Sequence, residues 1–348
     1  MYLNSLIFLL AIGVASVDSA GNTCTNGNTV HPPSNSQPYY WPSTWNENKT
    51  GPALGPDQSC SWAFTIPQGS YAKLVMSSKT ADNVSSFQII DMGGNLIDVN
   101  HENKEPWYFP YPKFTLIISN VATSTLGFKV TWAKYPTGIS YDQGVGSDAA
   151  VVNITKNVFT AEFGSVNSVS VLAFPADLKH YTSLRSTLIF EGNDFNGPFV
   201  NNLYELYKTH KQYISSSSMI YVVNVEARNV LDKLVLQDSG YTKPLEPYHQ
   251  LLCAAGSTCT KKLEGSKTSK SGLIYLGNSN QTLVDITMDK TATLSLYYGG
   301  LGSFFLYKTY DGSSVYSQLP LTLEGGGNYP VQYIISSGKS SFTFKLSN

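Results

Sequence analysis

The chain reads Ser61-Trp62-Ala63-Phe64-Thr65-Ile66 in its first third, with a large apolar side chain at every second position. The same alternation returns in Lys113–Ile118 and Gly127–Trp132, and Gly, Asn, Asp, Ser and Pro separate such runs. A period of two over five or six residues indicates strands that bury one face. Short strands with frequent turns favour an antiparallel β-sandwich over an α/β sheet. The sequence therefore predicts an all-β protein.

Helical periodicity is clear in one stretch, Phe199–Tyr213. Val200, Leu203, Leu206 and Tyr207 lie there at spacings of three and four residues. That spacing predicts one helix.

The first and last thirds of the chain align with each other, which predicts duplicated sandwiches. Four pairs of segments align at offsets between 216 and 220 residues: Tyr71–Met76 with Thr291–Leu296, Ser86–Ile89 with Ser303–Leu306, Ile117–Ser119 with Ile334–Ser336, and Phe128–Val130 with Phe344–Leu346. The alternative is coincidence, because alternating strands with Gly turns resemble one another without shared ancestry.

The middle third carries related patterns in Leu188–Gly192 and Met219–Val225. Gly-rich or Lys-rich stretches at Pro136–Ser147 and Thr260–Gly272 are typical of linkers. We therefore expect sandwich domains at residues 21–136, 148–252 and 273–348.

The first twenty residues have the composition of a secretory signal peptide. Leu6–Ala15 is apolar and too short to span a bilayer as a stable helix, and small residues follow it. Ala15, Ser19 and Ala20 all offer a cleavage point, while a buried helix or a membrane anchor is the alternative. We expect a secreted, extracellular protein with no membrane span.

The charge balance argues against a polyanionic partner. The chain has 23 Lys and Arg against 24 Asp and Glu, so no overall field attracts nucleic acid or an anionic membrane. Charged residues make up 14% and aromatic residues 13%, which indicates a globular chain.

The four cysteines fall into two distant groups, Cys24 with Cys60 and Cys253 with Cys259. In an exported protein, the oxidising environment would join them in disulfide bonds, and three pairings are possible. We favour Cys24–Cys60 and Cys253–Cys259, because neither bond then crosses a domain boundary. Zinc binding is the weaker alternative, since neither group has Cys-x2-Cys spacing.

Four Asn-x-Ser/Thr sequons agree with passage through a glycosylating pathway. Their asparagines are Asn48, Asn83, Asn153 and Asn280.

Local signatures of catalysis are missing from the sequence. There is no Gly-x-Ser-x-Gly elbow or phosphate-binding loop, and His101-Glu102 lacks the second His of a zinc protease helix. We predict that the protein is not an enzyme and needs no cofactor or metal. The alternative is an enzyme whose scattered histidines are assembled by the fold.

Two aromatic clusters beside prolines are the candidate binding residues. Proline confines such segments to edges or loops, where exposed rings could bind a sugar or a protein. The alternative is that the rings close the open end of a sandwich. The candidates are Tyr39, Tyr40, Trp41 and Trp45 in the first cluster and Trp107, Tyr108, Phe109 and Tyr111 in the second.

The first third resembles the CUB domain, and in particular the secreted CUB-like proteins of nematodes. The resemblance covers about residues 21–135 and is carried by Cys24, Tyr39–Pro42, the Cys60-x-Trp62 strand within Gln58–Pro67, Tyr71–Leu74 and Phe128–Trp132. In the middle third, Ala173–Asp177 and Ile189–Gly192 also resemble that family.

The resemblance implies a jelly-roll β-sandwich that works by binding, with a role in innate defence against microbes, and together with the internal alignment it predicts such sandwiches in tandem. The usual second CUB disulfide is missing from the first third. The family's calcium-binding carboxylates cannot be placed, since Asp91, Asp98, Glu191 and Asp194 are scattered and turn carboxylates are usually solvated or capping.

The leading hypothesis is a secreted glycoprotein that binds a microbial or host surface glycan or protein. A structural protein of the extracellular matrix or gut lining is the alternative, followed by an unrecognised hydrolase or a protease inhibitor.

Overall fold

A computed structural model describes residues 21–138 and 141–348. The predicted signal peptide, residues 1–20, lies outside the described residues. The chain is nearly all-β, with 48% of its residues in strands and 7% in helices. The strands within these described ranges form six sheets in three facing pairs, which confirms the predicted class of tandem jelly-roll sandwiches.

The first unit, residues 28–134, contains eleven strands. One sheet has the order β1-β4-β10-β6-β7, and the other has β2-β11-β5-β8 with β3 beside β11 and β9 beside β5. The strands are β1 (Asn28–Val30), β2 (Tyr39–Trp41), β3 (Ala53–Leu54), β4 (Gln58–Thr65), β5 (Ser70–Lys79), β6 (Ser86–Ile90), β7 (Leu96–Asp98), β8 (His101–Asn103), β9 (Trp107–Pro110), β10 (Lys113–Asn120) and β11 (Ser124–Lys134).

The second unit, residues 141–242, has sheets of order β12-β14-β19-β16-β17 and β13-β20-β15-β18. Its strands are β12 (Tyr141–Gly144), β13 (Ala150–Asn153), β14 (Phe159–Gly164), β15 (Val169–Phe174), β16 (Thr187–Glu191), β17 (Phe199–Asn202), β18 (Tyr213–Ile214), β19 (Met219–Asn224) and β20 (Lys233–Asp238). The short helices are a 3-10 turn at Thr182–Ser186, α1 (Leu203–Lys208) and α2 (Ser239–Thr242).

The third unit, residues 245–346, has sheets of order β21-β23-β28-β25-β26 and β22-β29-β24-β27. Its strands are β21 (Leu245–Gln250), β22 (Thr258–Glu264), β23 (Lys270–Tyr275), β24 (Gln281–Thr287), β25 (Thr293–Tyr298), β26 (Leu306–Asp311), β27 (Leu321–Leu323), β28 (Val331–Ile335) and β29 (Lys339–Leu346). Two 3-10 turns lie at Ser303–Phe305 and Val315–Gln318.

All three units share one strand order. With β3 and β9 left out, each has nine strands paired as 1-3-8-5-6 in one sheet and 2-9-4-7 in the other. In each unit the first strand runs parallel to the third, and the other pairs are antiparallel. A repeated order that includes this parallel pair indicates three copies of one sandwich.

This strand order corrects part of the internal alignment. It matches β5 with β24, whereas the sequence alignment laid Tyr71–Met76 of β5 on Thr291–Leu296, which belongs mainly to β25. The alignments of Ile117–Ser119 and Phe128–Val130 place the correct strands together. Strands with the same two-residue period are interchangeable in sequence, and only pairing between distant strands distinguishes them.

The two expected linkers contain strands. Tyr141–Gly144 is β12, and residues 258–264 form β22, so the strands of the third unit begin at Leu245 rather than near residue 273. β22 is an edge strand whose residues are mostly exposed, and its Lys and Thr therefore have the composition of a linker.

The predicted helix at 199–213 is shorter in the structure. Phe199–Asn202 forms β17, and α1 occupies only Leu203–Lys208. The helix begins there because the Asn202 side chain accepts a hydrogen bond from the Glu205 backbone N–H at 2.9 Å.

The core of the first unit is aromatic and follows the predicted alternation. Trp62, Phe64 and Phe128 are at most 1% exposed. The Phe128 ring lies 5.1 Å from Trp62 and 6.0 Å from Phe64, edge to face in both pairs. Such rings bury a large apolar area in favourable geometry.

Among the helices of the described residues, none has the length and apolar character that crossing a membrane requires.

Candidate functional site

The second predicted aromatic cluster is mostly core. Trp107, Tyr108 and Phe109 are each 1% exposed, because β9 pairs with the central strand β5. Trp107 and Phe109 lie in the core of the first unit, where Trp107 also contacts Tyr204 of the second unit, and Tyr108 lies between the two units. They cannot contact a ligand from solution in this arrangement. This corrects the prediction that they form an exposed binding loop, and of this cluster only Tyr111, at 51%, is exposed.

The first predicted aromatic cluster is only partly accessible. Trp45 is 4% exposed and lies against Gly127, which also corrects its predicted binding role. Tyr39 and Trp41 are half-buried, and both rings stack on Phe128 from the edge strand β2. Tyr40 is also half-buried, with the Lys129 ammonium 5.9 Å from its ring centre. Tyr40 is therefore the member of this cluster whose ring lies next to a charged group.

Both predicted disulfides are present. Cys24 pairs with Cys60 and Cys253 with Cys259, with Cα–Cα distances of 5.7 and 6.0 Å. The first bond ties the segment before β1 to β4, and the second closes the loop between β21 and β22. The two bonds lie at different places in the repeated strand order, so they are not equivalent.

The asparagines of all four sequons, Asn48, Asn83, Asn153 and Asn280, are exposed. Each is therefore accessible to a glycosylating enzyme, although the glycans themselves remain a prediction.

The scattered carboxylates each serve local structure. Each accepts a backbone N–H at 2.7 to 2.9 Å: Asp91 from Asn95, Asp98 from Asn100, Asp194 from Asn196, and Glu191 from Ser216. Within residues 21–138 and 141–348, no group of three His, Cys, Asp or Glu side chains is placed to hold a metal ion.

Among the described residues, the most exposed aromatic side chains lie on the third unit, where no binding role was predicted. Phe304 is 91% exposed, Tyr329 71% and Tyr307 61%, and the half-buried Tyr298 and Phe305 lie beside them. We call these five residues the aromatic surface. Large exposed rings on a folded protein commonly mark a binding site.

Four of the five rings of the aromatic surface form two edge-to-face pairs. The centroids of Phe304 and Phe305 are 5.4 Å apart, and those of Tyr298 and Tyr307 are 5.5 Å apart, at interplanar angles of 88° and 85°. A Cβ at Gly299 would lie 3.3 Å from Phe305 and 3.8 Å from Tyr329. Gly299 has a φ of +89°, which favours glycine.

The loop that carries Phe304 and Phe305 is held against the second unit. The Leu301 N–H donates to the Ser147 carbonyl oxygen at 2.7 Å. A Cβ at Gly300 would lie 2.0 Å from the same oxygen, so only glycine permits this approach. Anchoring lowers the entropy that the loop would lose on binding a ligand.

The hydroxyl groups of the aromatic surface add hydrogen-bonding capacity. Burial, followed by the neighbouring Tyr307, raises the pKa of the Tyr298 hydroxyl. Tyr298 therefore stays neutral and can donate a hydrogen bond. Flat rings combined with phenol hydroxyls suit ligands with both apolar faces and polar groups, such as sugars.

A sequence feature marks this site in retrospect. Phe304 and Phe305 are adjacent, and neighbouring residues of a strand point to opposite faces. Both rings cannot then enter one core, and Gly299, Gly300 and Gly302 just before them indicate a turn. The alignment with Ser86–Ile89 predicted a strand at Ser303–Leu306, but Ser303–Phe305 is a 3-10 turn and the strand begins at Leu306.

Two family matches cover parts of the chain. Residues 19–136 match the CUB-like domain, and residues 149–225 match a domain of unknown function, DUF7592. The first match agrees with the resemblance seen in the sequence, so the chain carries a CUB-like domain at its N-terminal end. No curated protein matches the chain.

Several solved structures are similar to the chain at low identity. The CUB1-EGF-CUB2 domain of human MASP-1/3 is 10% identical, with a TM-score of 0.21, over 53% of this chain and 94% of that one. The rat MASP-1 CUB1-EGF-CUB2 domains are 9% identical, with a TM-score of 0.24, over 61% and 100%. A crystal structure of tripeptidyl peptidase 2 is 10% identical, with a TM-score of 0.24, over 92% and 24%.

Proposed function

We propose that this protein is a secreted glycoprotein that binds a microbial or host surface glycan in innate defence, and that the aromatic surface is its binding site. The observation that carries the binding role is the exposure of Phe304, Tyr307 and Tyr329 on the third unit. Leaving such rings in water is unfavourable unless a partner covers them. We take the protein to be a binding module rather than an enzyme, as is usual for CUB-like domains.

Three features support the extracellular location. The CUB-like domain is typical of extracellular proteins, and two disulfides persist best in an oxidising compartment. The exposed asparagines of four sequons add to these. We further propose that each two-sheet unit is a domain, with boundaries between residues 134 and 141 and between 242 and 245.

The binding role is tested on a glycan array, with matched variants. Phe304→Ala, Tyr307→Ala and Tyr329→Ala remove rings from the aromatic surface, and Tyr241→Ala removes a tyrosine that is 43% exposed on the second unit. We expect each of the first three to weaken glycan binding about tenfold, since stacked aromatic contacts contribute about 1 kcal/mol or more. Tyr241→Ala should bind normally. Undiminished binding by the combined three-residue variant would exclude the aromatic surface as the site.

Secretion and glycosylation are tested separately by expressing the full chain in a eukaryotic host. We expect protein in the medium that shifts on gels after enzymatic deglycosylation. Retention in the cell, or the absence of a shift, would contradict this part of the proposal.

Self-assembly into an extracellular matrix is the second candidate, and β26 favours it. This edge strand lies beside the aromatic surface, and five of its six residues are exposed. Exposed edges can pair with another chain. Sedimentation at increasing concentration distinguishes the two roles, since a matrix component should associate whereas a soluble binding protein should remain monomeric.

A further inference from the structure

A charged cleft lies where the first and second units meet. It has a volume of about 460 Å³, which is within the range of small-ligand sites. Six charged side chains line it: Lys73, Lys104, Lys129 and Arg228 are cations, and Glu47 and Glu226 are anions. We call it the junction cleft.

The cations of the junction cleft outnumber its carboxylates. Lys73 pairs with Glu226 at 2.9 Å, and Lys129 pairs with Glu47. Among the described residues, Lys104 has no carboxylate partner. The whole chain has a formal net charge of −1, so this is a local excess of positive charge in a nearly neutral protein.

Arg228 is only loosely neutralised. Its nearest carboxylate oxygens belong to Glu105 at 3.7 Å and Glu226 at 3.8 Å, which is too far for a hydrogen bond. Its Nε and Nη2 atoms are buried and have no hydrogen-bond acceptor among the described residues. Arg228 also lines the cleft, so an oxyanion bound there would interact with a guanidinium charge that no close ion pair neutralises.

The backbone places Lys104 at the cleft in an unusual conformation. Lys104 has a φ of +68°, which is uncommon for a residue other than glycine. Its N–H donates to the Met76 carbonyl oxygen at 2.7 Å and so holds the turn between β8 and β9. Such conformations recur where a side chain is needed in one position.

An aromatic ring lies next to one of these cationic groups, Lys129. Tyr40 is half-buried, and its ring centre is 5.9 Å from the Lys129 ammonium that lines the cleft. A ring beside a cation at the cleft can contact the apolar face of a sugar while the cations that line the cleft bind an acidic substituent. The Thr131 side chain also lines the cleft and can hydrogen-bond a sugar hydroxyl.

From this combination we propose that the junction cleft binds an acidic saccharide, whose carboxylate or sulfate group is held by Lys104 and Arg228 and whose ring lies beside Tyr40. The site is separate from the aromatic surface and does not depend on the role proposed for it.

Calorimetry with three disaccharides of similar size tests the proposal. The probes carry a sulfate, a carboxylate or no charge. We expect both acidic probes to bind, with affinity that falls as salt is raised, and the neutral probe to bind at least tenfold more weakly. The stronger acidic probe identifies the preferred acid. Equal binding of all three, or no binding by either acidic probe, would overturn the proposal.

Matched variants locate the site. Lys104→Met should weaken binding of the acidic probe about tenfold, and Tyr40→Ala should weaken it severalfold without changing its salt dependence. Lys113→Met, which removes an exposed lysine from β10, should have no effect. Normal binding by Lys104→Met would overturn the proposal that the acidic probe binds in the junction cleft. Binding of inorganic sulfate as tight as that of the sulfated probe would overturn the proposal that the ligand is a saccharide.

Phe304→Ala separates this proposal from the function proposed above. It should leave acidic-probe binding to the junction cleft intact whether or not the aromatic surface binds glycans. Loss of acidic-probe binding in Phe304→Ala would place the probe on the aromatic surface and overturn the cleft proposal.

Discussion

Arg185 of the second unit binds Glu102 of the first through two hydrogen bonds, from Nη1 to Oε2 at 2.8 Å and from Nη2 to Oε1 at 3.0 Å. Their side chains are only 5% and 8% exposed. The Arg185 guanidinium carbon also lies 3.6 Å from the centre of the Trp107 ring and 4.7 Å from that of Tyr204. A buried ion pair with two hydrogen bonds, whose guanidinium group lies against two aromatic rings, therefore joins the two units beside the junction cleft.

Arg185→Met should destabilise the protein strongly. It leaves the Glu102 carboxylate buried without its partner, and breaking a buried pair from one side typically costs about 3–5 kcal/mol. Urea unfolding measures the change. Lys208→Met is the control, because the Lys208–Glu205 pair on α1 is more exposed and contributes about 0.5 kcal/mol at most. Equal effects of the two variants would show that the Arg185 pair does not stabilise the junction.

Trp107→Ala should impair folding rather than ligand binding alone. The side chain is 1% exposed, and truncating a buried Trp typically costs about 3–5 kcal/mol. Phe304→Ala, which removes a ring that is 91% exposed, should change the free energy of unfolding by about 0.5 kcal/mol or less. Thermal and urea unfolding of both variants measure the contrast, and a Trp107→Ala protein of normal stability would contradict the buried position of this ring.

Gly300→Ala should disturb the aromatic surface by displacing the loop that carries Phe304 and Phe305. The added Cβ would lie 2.0 Å from the Ser147 carbonyl oxygen, so the loop must move away from the second unit. We expect about 1–3 kcal/mol of destabilisation and a loss of glycan binding similar to that of Phe304→Ala. Gly144→Ala is the control, since nothing lies within 4 Å of a Cβ there. Normal binding by Gly300→Ala would mean that the anchoring of this loop is unimportant.

Glu191 should make stability depend on acid pH. Burial acts to raise the pKa of this carboxyl, but hydrogen bonds from Ser216 and Tyr213 outweigh it and hold the pKa below its usual range. A lowered pKa in the folded state stabilises the protein above the unfolded value of about 4.3, and this contribution is lost as pH falls through the folded pKa.

The measurement is urea unfolding of the natural chain and of Glu191→Gln between pH 3 and pH 7. The natural chain should be more stable at pH 7, and the difference should shrink toward pH 3. A difference that stays constant over this range would contradict the lowered pKa.

Much of the fold could be predicted from local patterns. Alternation placed Trp62, Phe64 and Phe128 in a core, and the spacing of the cysteines led to the two disulfides that the structure contains. These inferences depend on neighbours in sequence, or on pairing the nearest cysteines. The edge strands β12 and β22 were missed, because an exposed strand with a polar composition resembles a linker.

The candidate site could not be predicted in the same way. Aromatic residues beside proline were expected in exposed loops, yet β9 carries Trp107 into the core of the first unit, where it contacts Tyr204 and Arg185 of the second unit. Phe304 belongs to a short apolar run like many others, and it is exposed because no other part of the described chain covers it.

The sequence by itself determined the all-β class, the strand character of the buried segments and the presence of a CUB-like first third, because side-chain alternation and turn residues act over a few neighbours. Only the tertiary structure decided which strands pair in each sandwich, which aromatic rings face solvent and which charges meet at the junction cleft. Burial and electrostatic pairing depend on side chains that are distant in sequence, and sheet pairing between distant strands brings them together.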